Sequence, residues 1–139
     1  LWSSAAHYRS AQESDRVRAM VEFATVVNAL VHTLQTERGI STAYVSSSNE
    51  DYAGALATAQ AQTDQVRARF VLALKDLDAA RMSSELDMQT ALARQVVDRV
   101  DVWRGALTQR SISVGTLIQS YADLVADLTR VVQQMLVRM

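Results

Sequence analysis

Glu37, Arg38 and Gly39 stand together inside LQTERGISTAY (34–44), a stretch whose spacing otherwise reads as a packed helix. Arg38 follows Leu30 and Leu34 at steps of four, so it falls on or beside the apolar stripe. A guanidinium held there costs several kcal/mol unless an internal carboxylate or a bound anion compensates it. The internal candidate is Asp64; the external one is a small oxyanion, which a planar two-pronged donor suits well. Arg104, beside Trp103, is a second fork that could reach the same cavity, or else lie along the indole. Ser41, Thr63 and Tyr121 fall on apolar stripes, where a hydroxyl either donates to an anion or bonds a backbone carbonyl; Gln60 is in the same class. Glu37 points away from its neighbour and reads as a surface or interhelix partner. Gly39 weakens a helix interior by about 1 kcal/mol against alanine, which predicts that another helix approaches its backbone.

The chemistry available is binding rather than bond breaking. No nucleophile, base and oxyanion donor are arranged together, so an enzyme is not expected. The chain has no cysteine, which excludes disulfides and thiolate metal sites. Its two histidines, His7 and His32, lie at unrelated positions of one helix, so no haem ligation and no cofactor is expected. Net charge is −1 with both signs interspersed, which does not describe a nucleic-acid surface.

The elements that must position these residues are helices. There is no proline, only four glycines, and 49% of the chain is apolar with 6% aromatic, a composition that lacks the punctuation of a turn-rich fold. Helical spacing and capping residues predict four segments, at about 3–47, 50–81, 84–108 and 111–138. Breaks fall at SSSNEDY, with Ser48 or Asn49 as cap, near Ser83 or Ser84, and near Ser111 or Ser113. Short connections make neighbours antiparallel. The fold class is therefore all-α, an antiparallel up-down-up-down four-helix bundle with long first and last helices, here taken as one domain over 1–139.

LVHTLQTERGISTAY (30–44) resembles the opening motif of the nitrate- and nitrite-sensing domain family, through Leu34, Gln35, Glu37, Arg38, Gly39, Ser41 and Tyr44. QAQTDQ (60–65) resembles its Thr-Asp element in the second helix. VDVWRGAL (100–107) and LIQSYADLVADL (117–128) resemble its later arginine and tyrosine. The resemblance spans roughly residues 26–130. It implies a helical bundle used as an input module of receptors such as histidine kinases and chemoreceptors. Family members often carry two bundles, and a single bundle departs from that form.

The resulting expectation is a sensor domain of a bacterial transmembrane receptor, binding nitrate or nitrite through Arg38, with Arg104, Ser41, Thr63 and Tyr121 contributing. Glu37, Gly39 and Asp64 are expected in structural roles. Both chain ends should leave one pole, which suits a periplasmic domain between flanking membrane helices, with Trp2 near the interface. No apolar run approaches the roughly 18–20 residues of a membrane span, and the start at Leu1 reads as a piece of something longer. A parallel homodimer built on the first and last helices is expected, with a shared site at its interface as one possibility. The rivals are a bundle for another small anion or an amino acid, and a ligand-free dimerising module.

Overall fold

A computed structural model of the chain describes residues 2–47, 50–79 and 86–138, with side chains for 11, 13–47, 50–79 and 87–137. The caps expected at Ser48 or Asn49 and at Ser83 or Ser84, and the side chains of Trp2 and His7, lie outside these. The described residues are helical almost throughout: α1 (Trp2–Ser46), α2 (Ala53–Ala79), α3 (Leu86–Asp98), α4 (Val100–Thr108) and α5 (Val114–Arg138). The segment at 84–108 thus divides in two at Arg99. Arg99 keeps helical dihedrals but sits in a tightened turn, its N–H on the Val96 carbonyl and its own carbonyl taking the Val102 N–H. Its side chain reaches Asp127 on α5 at 2.6 Å. α3 and α4 together fill the third place of an all-α four-helix bundle, as the spacing predicts.

Local chemistry sets the α4–α5 corner. Arg110 adopts φ 52°, a left-handed position more often held by glycine. The Ser111 N–H bonds the Ala106 carbonyl and the Arg110 N–H that of Leu107, which is the double closure of a Schellman turn. The Arg110 side chain offsets the backbone cost: its guanidinium lies 3.9 Å over the Tyr44 ring and bonds Glu50 at 2.9 Å. Ser113 then caps α5, its Oγ accepting the Thr116 N–H at 3.1 Å.

α1 packs chiefly against α2 and α5, and α3 against α5 and α2, so the third place stands diagonally across from α1. The core is a column of Leu, Val and aromatic side chains, with Phe23 against Phe70 at 5.8 Å near one end and Trp103 edge-on to Tyr121 at 5.1 Å near the other. At 45 residues α1 is about 67 Å long, well beyond α2 or α5. Its described side chains are exposed up to Arg18 and enter the core only from Phe23 onward. By length and composition Glu13–Ser46 is apolar enough to cross a membrane, contrary to the reading of uninterrupted runs, because averaged hydropathy tolerates isolated polar residues. In this fold the apolar stripe of that segment is the central seam of the bundle.

Gly39 does not serve the close approach expected of it. It faces outward, and a Cβ built there meets nothing within 4 Å among the described residues. Gly39→Ala should therefore raise stability by about 0.5–1 kcal/mol, read from the urea midpoint, since it adds helix propensity without a clash.

Candidate ligand-binding site

About two helical turns below the α1–α2 and α4–α5 corners, the core column is interrupted by a polar layer. Glu37 is completely buried there, and Arg104 crosses from α4 to meet it. The contact is two-pronged: Nη2 to Oε1 at 2.6 Å and Nε to Oε2 at 3.1 Å. Glu37 Oε2 also accepts the Tyr121 hydroxyl of α5, and Ser41 lies 3.3 Å from the same phenol oxygen. Arg104 Nη1 donates to Asp64 on α2 at 2.7 Å. One carboxylate thus ties α1, α4 and α5 together, and its arginine adds α2.

Outward from Arg104 the network continues to Arg67, which bonds Asp64, Asp98 and Asp101 at 2.9–3.1 Å. Arg67 is a hub that the sequence reading did not single out. The Asp64-to-Arg67 spacing of three, with two acids near Arg99, was the available signal. Hydrogen bonding to Arg67 holds the Asp101 carboxyl below its ordinary range. Burial pulls the Arg104 pKa down, but bonds to Glu37 and Asp64 reverse this and leave it raised. Burial, and then the Glu37 charge, push the Tyr121 hydroxyl well above its usual value, so it remains a donor at neutral pH. Two arginines here face four carboxylates. The layer carries net negative charge and does not attract a further anion.

This revises the roles expected for several residues. Asp64 pairs with Arg104 and Arg67, not with Arg38. Arg104 is not an open fork, because Glu37 already occupies the position of its anion. Ser41 belongs to the buried layer, and Thr63 is turned onto the Ala59 carbonyl of its own helix at 3.2 Å. Glu37, expected at a surface or between helices, is the innermost member of an interhelix clamp.

Arg38 is placed differently. It is half-buried, one residue beyond Glu37 and on the α5 side of α1. Among the described residues its guanidinium has neither an ion-pair nor a hydrogen-bond partner. It lines a cavity of about 240 Å³ between α1 and α5 with Leu34, Gln35, Tyr121, Ala122 and Val125. The walls are apolar apart from Arg38 and the Gln35 amide, and small residues on α5 leave the opening. Tyr121 belongs to both places: its ring forms one wall of the cavity and its hydroxyl is fixed by Glu37. A half-sheltered guanidinium in such a space can bind a planar oxyanion through parallel N–H donors, where competition from water is reduced.

Two further hollows lie toward the other end of the bundle and have mixed charge, one lined by Lys75, Asp78 and Arg94, the other by Asp15, Arg18 and Glu22. In the first, Lys75 and Arg94 are exposed, unlike the half-buried Arg38; in the second, Arg18 lies between Asp15 and Glu22. Among the described residues no cluster of His, Cys, Asp or Glu could hold a metal ion.

No curated protein sequence and no solved structure matches the chain. The family profile described as nitrate and nitrite sensing (NIT) matches residues 29–138, which include every helix of the polar layer and the whole Arg38 cavity. On that match, over most of its length and on the motif centred at Glu37-Arg38-Gly39, this chain belongs to the nitrate and nitrite sensing family.

Proposed function

We propose that this chain is the ligand-sensing input domain of a bacterial transmembrane receptor and that nitrate or nitrite binds at Arg38, between α1 and α5. The observation that carries this reading is a half-buried guanidinium, unanswered by any described acid, beside a cavity, in a chain of this family. Arg38 supplies the charge and the paired donors, Gln35 an amide, and the Tyr121 ring a wall. An anion there bridges α1 and α5 and changes the packing both helices prefer. Because α1 and α5 run from the site to the pole where both described chain ends lie, a small displacement reaches that pole directly. In the receptor we place that pole toward the membrane, with the bundle on the periplasmic side and membrane helices flanking it, and two copies acting as a parallel dimer on α1 and α5.

The test is calorimetric titration with nitrate, nitrite, chloride, sulfate and acetate at matched ionic strength. Saturable heat with nitrate or nitrite and none with chloride is the expected result. Heat with acetate alone would move the assignment to a carboxylate, which the same fork accepts equally well. No heat with any of the five would remove the anion site.

A further inference from the structure

The cavity beside Arg38 is polar at one end and apolar at the other. The bond between Glu37 and Tyr121 sets Arg38 level with the Tyr121 ring. Because α1 and α5 are antiparallel, one helical turn further, about 5.4 Å, brings Leu34 opposite Val125, with Ala126 beside them. Leu34 is fully buried and Val125 half-buried, while Gln35 stands at the exposed edge. A space of about 240 Å³ has room for on the order of eight waters at their share of the liquid. Nitrate, one nitrogen and three oxygens, fills only the Arg38 end. Water left against Leu34 and Val125 meets no polar side chain, and replacing it with an apolar group is favourable.

We propose that this cavity takes short-chain monocarboxylates, with the carboxylate on the Arg38 guanidinium and the hydrocarbon tail along Leu34, Val125 and Ala126. This rests on Arg38 as the anion-binding group of the reading above, but not on nitrate. Charge and shape select the class together. A carboxylate meets the parallel N–H donors of a guanidinium as nitrate does. The tail has to be free of charge. Among the described residues that line the cavity none is acidic, and Glu37, next to Arg38, is taken up by Arg104 and Tyr121. An α-amino acid brings an ammonium group that finds no acceptor there. A dicarboxylate sets its second charge against Leu34 and Val125. Both lose hydration without compensation. Nitrate and a short acid therefore compete for one cation, and only the acid uses the far end of the space.

The test is calorimetric titration with acetate, propionate, butyrate, 2-aminobutyrate and succinate, beside nitrate, at neutral pH and matched ionic strength. Each methylene that enters the far end should tighten binding about fourfold, so butyrate should bind on the order of tenfold tighter than acetate. Its binding heat should also fall more steeply with temperature than that of nitrate, the mark of buried apolar surface. 2-Aminobutyrate and succinate should lose most of the gain. Ala126→Leu, which crowds the far end, should flatten the series, and Arg38→Ala should abolish it. Equal affinity for acetate and butyrate overturns the proposal, as does butyrate binding that survives Arg38→Ala or a slope that persists in Ala126→Leu. Saturable nitrate binding without butyrate binding overturns this proposal and leaves the anion site standing. Absence of both removes the site as well. Butyrate binding without nitrate binding supports the tailed acid and overturns only the nitrate assignment.

Discussion

Glu37→Ala should lower the stability of the chain by about 3 kcal/mol, seen as an earlier urea midpoint and a melting temperature lower by roughly ten degrees. The size follows from what is left behind. Glu37 is 0% exposed, and Arg104 has 14% of its side chain exposed, so removing the carboxylate strands a largely buried cation. The Tyr121 hydroxyl loses its acceptor at the same time, which adds an unsatisfied buried donor. Breaking one half of a buried pair typically costs 3–5 kcal/mol; the lower figure applies because Asp64 remains on Arg104 Nη1. The contrasting variant is the double replacement Glu37→Leu with Arg104→Met. By taking out both charges it should recover much of the loss, since a buried ion pair contributes little beyond an apolar substitute of similar shape. If the single and double variants are equally damaged, the two-pronged contact is not the source of the cost. If the single variant is harmless, Glu37 is not buried in solution.

Arg38→Ala should do the reverse: leave basal stability within about 0.5 kcal/mol and abolish the response to nitrate. Its guanidinium holds no described partner, so nothing inside the fold is stranded by its loss. In the unaltered chain, nitrate at a hundredfold excess over Kd should add about 2.7 kcal/mol of stability, on the order of ten degrees in melting temperature. Arg38→Lys keeps the charge but not the planar fork and should retain only part of that shift. A nitrate shift that survives Arg38→Ala would transfer the site elsewhere in the chain. The two experiments separate two arginines that look alike in sequence: Arg104, a strut of the buried layer, and Arg38, the proposed binding group.

The two sites are joined through one residue. Tyr121 closes the cavity with its ring and holds Glu37 with its hydroxyl. On the proposed reading, an anion that moves α5 against α1 would act on the side chain that also fastens α5 to the buried clamp. Rigid elements with a shared, fully bonded contact pass displacement along their length more readily than loosely packed ones.

Much of the architecture was legible before any coordinates. Helical periodicity, the missing prolines and the serine-rich breaks specify helices and their antiparallel order, because these are local properties of the chain. Ser113 as a cap is of this kind. The break at Arg99 was not legible: no proline or glycine marks it, and the Arg99 side chain bonds Asp127 on α5, 28 residues later. Gly39 was misread for a related reason. Sequence shows that a glycine is unfavourable in a helix, but not which way it faces, and here it faces away from the bundle.

The sequence by itself determined the fold class and the family motif. Only the tertiary structure decided which charge was compensated. Glu37 and Arg38 are adjacent, and the roughly 100° between successive helical residues sends one into the core and the other toward α5. Which arginine then meets which carboxylate depends on the relative height and rotation of four helices, set by packing across the whole core. Spacing places Arg104 near the core stripe and Asp64 beside Thr63; it cannot say that Glu37 will reach Arg104 first and leave Arg38 free.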